Sequence, residues 1–511
     1  MPTAQTPHWP DPTAADVLVP GNAGTTLAEQ LAQRYADRIA QRLLAPGARL
    51  PSVREAARRH GISPSTVVGA YDRLLAQGLV QARPQRGFFV RGAAAAETSA
   101  VPRSARAADI ATPARHAAPV DATALIRSMF QAHGKLPAPG MGTLPEEWLD
   151  GALLQSALRK VLGANGTSKA QGSASPGRAW LRYGDPAGDP TLRAALSRRL
   201  ADIGVRAAPE QIVTTVGATQ ALDLVSRTLL KPGDAVLVDE PGWAVEFARL
   251  ALLGMRVLPV PRRENGPDLK VMQSLITAHR PRLYVTVSVL HNPTGSSLAP
   301  DVAHRLLRLA EAHGITLVED DTYAWLAPLH ATRLAQLDGL QRTVYISGFS
   351  KILAPQWRVG YLAAPPALAE KLIDTKLLAT LTTASPLEQA IAVCLDKGAL
   401  RRHAERLTER LDAARSRTVR LAQEAGCRFV TPPAGLFGWL DVGADTEALA
   451  QRLLDAGWLT APGALFLATP RPTTLMRVNF ATSQDARFWQ ALTRLRPRGG
   501  SVSYSTTSRH T

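Results

Sequence analysis

The chain has 511 residues, 45% of them hydrophobic, and its 59 basic against 42 acidic side chains give a formal charge of +17. That length predicts two or more domains with a sizeable core, while the lack of any uninterrupted apolar run of spanning length argues against a membrane role. The basic balance points to a polyanionic partner. Two cysteines, Cys394 and Cys427, are too few for a disulfide framework or a cysteine metal site, and MPTAQTPHWPDP lacks the pattern of a secretory signal. A reducing cytoplasm and no metal are therefore expected.

The first elements form a compact basic unit over residues 25–91. Leu27, Leu31, Tyr35, Ile39 and Leu43 recur at helical spacing and predict a helix from Thr25 to Leu44, stopped by Pro46-Gly47. Ser52 is suited to cap a second helix reaching His60, and Ser63 a third from Pro64 to Gln77 with Val67, Tyr71 and Leu74 inside. Leu79–Ala82 and Phe88–Val90 read as a hairpin around Arg83-Pro84-Gln85-Arg86-Gly87. Between Thr25 and Arg91 stand eleven arginines and four acidic residues, so the charge lies where a phosphate backbone would need it. Helix, turn, helix and basic hairpin describe a winged helix-turn-helix, whose third helix enters the major groove.

The run PGARLPSVREAARRHGISPSTVVGAYDRLLAQGLVQARPQRGFFV resembles the DNA-binding domain of GntR-family regulators. The resemblance implies DNA contacts from Arg54, Ser63, Ser65 and Thr66, with Arg86 and Gly87 in the wing. Pro64 and Val68 stand where many members carry arginine.

Residues 92–122, rich in Ala, Pro and Ser, read as a flexible linker, and residues 496–511 as a disordered tail. Between them, over 123–495, apolar runs alternate with amphipathic stretches, which predicts a mainly parallel α/β sheet. Candidate strands are Gln211–Val216, Ala235–Val238, Val257–Val260, Leu283–Ser288, Thr316–Glu319, Val344–Ser347 and Gly360–Ala363. Ligands of such sheets bind beyond the carboxyl ends of the strands, so the residues that follow each strand are the candidates for a site.

After the first strand, Gly217-Ala218-Thr219-Gln220 opens a helix over Ala221–Leu230, as a plain turn or as a phosphate cradle. Trp243 follows the second strand and either packs in the core or stacks on a planar ring. Asn292, in His291-Asn292-Pro293-Thr294-Gly295, lies in a turn from which its amide can donate to a phenolic oxygen. Asp320 ends a strand, where it either caps the next turn or faces a pyridinium nitrogen. In VYISGFSKILAPQWRVG, Ser350-Lys351 is either a strand end running into solvated polar residues or the edge of a buried strand whose lysine, desolvated, suits Schiff-base chemistry, with Ser350 and Arg358 able to grip a phosphate.

In this order the segments resemble the fold-type I aminotransferases that use pyridoxal phosphate. The resemblance implies that Lys351 is the Schiff-base lysine, Asp320 the partner of the ring nitrogen, and Asn292 with Tyr323 the partners of the ring hydroxyl. It further implies that Trp243 stacks on the ring and that Arg358, Ser350 and the amides of Ala218 and Thr219 hold the phosphate. Tyr183 matches the position that reaches the phosphate of a partner subunit, and Arg477 the arginine that binds the substrate carboxylate. Gly348 departs from the family's Ser or Thr, and Ser347 is expected to supply the missing hydroxyl.

Together the halves resemble the MocR-type bacterial transcriptional regulators. That resemblance implies a homodimer that binds operator DNA and responds to an amine or amino-acid effector, or to pyridoxal phosphate itself. The alternatives are a working aminotransferase with a DNA-binding head, and a degenerate fold that binds no cofactor and only pairs the heads.

Overall fold

The computed structural model describes residues 25–40, 44, 47–83, 86–91, 136–164 and 181–497. The expected linker, the start of the expected large domain, Leu43, Pro46, the hairpin residues Pro84 and Gln85, and the tail beyond residue 497 lie outside the described residues. The chain parts into two compact units, with the boundary between Pro137 and Ala138.

In the head, α1 spans Leu27–Ala40, α2 Val53–His60 and α3 Pro64–Ala76, followed by β1 Val80–Arg83 and β2 Gly87–Val90. Local chemistry sets the boundaries. Ser52 Oγ accepts from the Glu55 amide, Gly61 ends α2 at φ +64°, and Ser63 Oγ accepts from the Thr66 amide. Each serine satisfies a helix-end N–H that has no partner within the helix, and the Gly61 amide donates to the Ala57 carbonyl at the other end of α2. Leu31, Tyr35, Leu50, Val67, Tyr71, Leu74, Val80 and Val90 bury their side chains in one core. Tyr71 also donates to the Pro51 carbonyl at 2.8 Å, which ties α3 to the turn before α2.

The large unit is built on an eight-stranded sheet of order β3-β10-β9-β8-β7-β4-β5-β6. Its strands are β3 Ile212–Thr215, β4 Ala235–Glu240, β5 Arg256–Arg263, β6 Gly266–Pro267, β7 Leu283–Thr286, β8 Thr316–Asp320, β9 Thr343–Gly348 and β10 Gly360–Ala363. Strands β5, β4, β7, β8 and β9 run parallel, whereas β10 runs antiparallel to both β9 and β3. Strand alternation feeds two helical layers. Val236 and Val238 join the cluster under helices Ala218–Leu229 and Pro366–Thr380, while Leu237 between them joins Met272, Ile276 and Leu306 on the other face. Each such buried side chain contributes about 1.5–3 kcal/mol relative to an exposed one.

A second sheet, of order β11-β12-β14-β13, comprises β11 Arg428–Phe429, β12 Phe437–Asp441, β13 Ala461–Pro462 and β14 Leu475–Asn479, all antiparallel. It is not among the expected strands; β11 and β13, of two residues each, carry no period. No helix among the described residues is long and apolar enough to cross a membrane.

Candidate functional site

The sheet brings the separated segments to one edge. Strands β3, β4, β7, β8 and β9 deliver the residues after their carboxyl ends. The antiparallel β10 delivers what precedes it, and its Gly360 pairs with Thr215 on one side and Gly348 on the other. Arg358, two residues upstream, thereby lies beside the end of β3. It donates to the Val216 carbonyl at 3.1 Å and to Ser350 Oγ at 3.4 Å.

Helix Ala218–Leu229 starts three residues earlier than expected, directly after Gly217 at φ +77°. Ala218 and Thr219 are therefore first-turn residues, whose amides have no partner within the helix and suit an anion. A Cβ at Gly217 would collide with the Arg358 guanidinium, and one at Gly360 would lie 2.6 Å from the Gly217 carbonyl carbon. Both glycines are needed for the cradle to close this tightly. Arg358 itself sits at φ +50°, a backbone state that costs a non-glycine residue about 1–2 kcal/mol.

Gly348 faces this cradle, since a Cβ there would lie 3.9 Å from the Ala218 nitrogen. The expectation that Ser347 replaces its hydroxyl is corrected. Ser347 Oγ is buried and donates to the Asp321 carbonyl at 2.8 Å. Neighbouring strand residues point to opposite faces, so Ser347 cannot reach where residue 348 points.

The same alternation organises the carboxylates that end β8. Asp320 turns to the site, where it and Trp243 and Asn292 line one small cavity. Burial raises its carboxyl to about 6, against the pull of bonds to its Oδ1 from the Thr322 amide and hydroxyl. Glu319 and Asp321 turn the other way. Glu319 accepts from Ser288 Oγ and from the Leu334 and Ala335 amides, and Asp321 accepts from Arg333 Nε at 2.6 Å and from the Tyr345 hydroxyl at 2.9 Å. These two fix the strand end that carries Asp320. Asp239, near the end of β4, accepts from Arg262 and from the Tyr284 and Thr286 hydroxyls and lines the same small cavity as Trp243 and Asn292.

Lys351 Nζ donates to the Gly142 carbonyl at 2.8 Å and lies 5.9 Å from the centre of the buried Tyr323 ring. Burial, reinforced by the charge of Arg477, lowers its ammonium to about 8, with Asp320 opposing. Arg477, on β14 and 6% exposed, donates to Asn292 Oδ1 at 2.9 Å and to the Gly140 carbonyl at 2.7 Å. The Phe437 and Phe466 rings flank its guanidinium at 4.5 and 4.9 Å. Burial lowers it to about 10. No carboxylate pairs with Arg477 among the described residues, and its buried Nε has no hydrogen-bond partner there. A desolvated guanidinium without an anion is costly.

Tyr183 does not join this cluster. Its side chain is 81% exposed, and the adjoining Gly184 packs against Thr382 and Ser385. Sequence reasoning missed Gly140, Gly142 and Asn479, which act through backbone carbonyls or behind the site; two glycines in GMGT were the only visible signal.

In the head, Arg54, Ser63, Ser65 and Arg86 are exposed, Thr66 is half-buried, and Gly87 at φ +94° opens β2. Ser63 Oγ lies 2.8 Å from Ser65 Oγ and 2.7 Å from Thr66 Oγ1, so three hydroxyls cluster at the start of α3. Arg54, Arg58 and Arg86 have no ion-pair partner among the described residues. Val68 is 44% exposed on α3.

Comparison with known proteins divides the chain in the same way. Residues 152–495 match the model "Aminotransferase class I and II", and residues 27–90 match "Bacterial regulatory proteins, gntR family". The uncharacterized HTH-type transcriptional regulator YdcR of Escherichia coli is 29% identical over 91% of this chain and 97% of its own. The HTH-type transcriptional regulator TauR of Rhodobacter capsulatus is 28% identical over 90% and 93%. The 2-aminoadipate transaminase of Thermus thermophilus is 31% identical over 60% and 78%. Among solved structures, LysN, the α-aminoadipate aminotransferase of Thermus thermophilus complexed with N-(5'-phosphopyridoxyl)-L-leucine, superposes with a TM-score of 0.64 at 26% identity, over 73% of this chain and 94% of that one.

Proposed function

Since the chain belongs to the aminotransferase class I and II family and carries a gntR-family head, we propose that it is a DNA-binding transcriptional regulator whose large domain holds pyridoxal phosphate on Lys351 and senses an amine or amino acid, or the cofactor itself. When bound, pyridoxal phosphate supplies an aldehyde that condenses with amines and a ring that withdraws electrons. The observation that carries the reading is the meeting of Lys351 and a buried, carboxylate-free Arg477 beside Asp320 and Asn292.

Each residue then has one task. Lys351, with its ammonium lowered to about 8, keeps a usable fraction of neutral amine near neutral pH. Asp320 pairs with the ring nitrogen, Asn292 and Tyr323 take the ring hydroxyl, and Trp243 covers the ring. Ser350, Arg358 and the Ala218 and Thr219 amides hold the phosphate. Arg477 takes the effector carboxylate. In the head, Arg54, Ser63, Ser65, Thr66, Arg86 and Gly87 meet DNA.

A homodimer completes the reading. Exposed Leu181, Tyr183 and Leu381, beside the Gly184–Ser385 contact, form an apolar face suited to a second copy, into whose phosphate site Tyr183 reaches.

Titration of the purified chain with pyridoxal phosphate tests the core of the proposal. Visible absorbance of the lysine-bound cofactor is expected and should be lost in Lys351→Ala; a wild-type chain that stays colourless overturns it. The intact Lys351, Asp320 and Arg477 set also favours a second reading, a working aminotransferase with a DNA-binding head. Sustained turnover of amino acids with keto acids would select that reading.

A further inference from the structure

The segment Ala138–Thr143 forms a strap across the site that begins in a turn, closed by the Met141 amide donating to the Ala138 carbonyl at 2.9 Å, and all six of its carbonyls accept a hydrogen bond. Two sets of donors alternate along it. The Pro139 carbonyl accepts from the Asn479 amide at 2.8 Å, and the Met141 and Thr143 carbonyls accept from Asn479 Nδ2 at 2.9 and 2.7 Å. The intervening Gly140 and Gly142 carbonyls accept from Arg477 and from Lys351. Ala138 is held by Thr482 Oγ1 at 3.0 Å.

Asn479 is fully buried and stands two residues beyond Arg477 on β14, so both side chains leave the same face of the strand. Its backbone amide and side-chain amide hold one edge of the strap, which turns the other edge toward the two cations. Gly140 allows the close fit: a Cβ there would lie 2.6 Å from the Thr460 carbonyl carbon, just before β13.

We propose that Asn479 is a positioning residue that holds this strap over Lys351 and Arg477, so that filling the site loosens the strap and passes the change to the chain N-terminal to it. The inference rests on the assignment of Lys351 and Arg477 as ligand-binding groups. When an aldehyde condenses with Nζ, a carbon–nitrogen double bond forms and one water leaves. The nitrogen, which had up to three N–H donors, then retains at most one, and that one is committed to the new partner. The Gly142 carbonyl loses its donor. A carboxylate arriving at Arg477 competes in the same way with the Gly140 carbonyl. Along the chain, Ala138 is the first residue of the large unit, and residues 92–137 lie between the strap and the head. A change in the strap therefore reaches the connection to the head without crossing the large domain.

Hydrogen exchange of the strap amides, followed by mass spectrometry on the full chain with and without pyridoxal phosphate, tests this, with absorbance recording uptake. Exchange in the strap should quicken about fivefold on uptake, as for the loss of one hydrogen bond. Lys351→Met should show the faster rate with no ligand added. Asn479→Ala should still take up pyridoxal phosphate but exchange rapidly in both states, so the ligand-dependent difference disappears. Uptake with unchanged strap exchange in the wild type overturns the inference and leaves the cofactor assignment standing, as does slow exchange in Lys351→Met. Absence of uptake overturns both.

Discussion

Arg54 and Arg477 are the same side chain in opposite settings. Arg54 stands exposed on α2 beside Arg58, with no ion-pair partner among the described residues, in a unit where arginines outnumber acids. Arg477 is buried between two phenyl rings, bonded only to neutral oxygens, and burial depresses its basicity. The first setting suits a long polyanion whose counterions are released on contact. The second suits one carboxylate that must shed its water to enter. The proposed function thus gives one chain two kinds of anion recognition, and they should respond differently to mutation, salt and pH.

Lys351→Ala should show the largest separation: loss of all lysine-bound pyridoxal phosphate, read by absorbance, with DNA still bound and its affinity no longer responsive to pyridoxal phosphate. Salt comes next. DNA affinity, measured by fluorescence anisotropy, should fall roughly a thousandfold between about 50 and about 200 mM salt, whereas affinity at the buried site should change little. Arg477→Met should weaken N-(5'-phosphopyridoxyl)-L-leucine about a hundredfold in calorimetry, as expected for removing one partner of a buried charge pair. If the loss is only a few fold, the carboxylate is held elsewhere.

Two smaller effects refine the contrast. Condensation needs the neutral form of Lys351, whose ammonium is lowered to about 8. The neutral fraction grows as pH rises through that value, so stopped-flow uptake of pyridoxal phosphate should quicken about tenfold between about pH 7 and about pH 9. Arg54→Ala should weaken DNA binding about tenfold or less and leave the cofactor spectrum unchanged. Altered absorbance in that variant would contradict the separation of roles.

The head was almost fully legible because its determinants are local. Ser52, Gly61 and Ser63 announce helix ends by their own chemistry, and the apolar spacing locates the core. In the large domain, apolar runs predicted every strand from β3 to β5 and from β7 to β10, with ends shifted by up to three residues. The candidate site was legible as strand ends, but not its supporting shell. Glu319 and Asp321 look like Asp320 in sequence, and only strand alternation separates the residue that faces the site from the two that brace it. The Ser347 expectation failed for the same reason. The strap was invisible because carbonyls leave no mark in a sequence, and neither the spacing from Gly142 to Lys351 nor that from Gly140 to Arg477 suggests a contact.

The central claim, that filling the site alters the head's grip on DNA, is tested most directly on DNA selected from a random pool by the full chain. Its affinity should be measured by fluorescence anisotropy with and without saturating pyridoxal phosphate, for wild type and for Lys351→Ala, with absorbance recording occupancy. The account predicts that the affinity changes in the wild type and stays constant in Lys351→Ala. A wild-type chain that fills its site and binds the same DNA with unchanged affinity would contradict it.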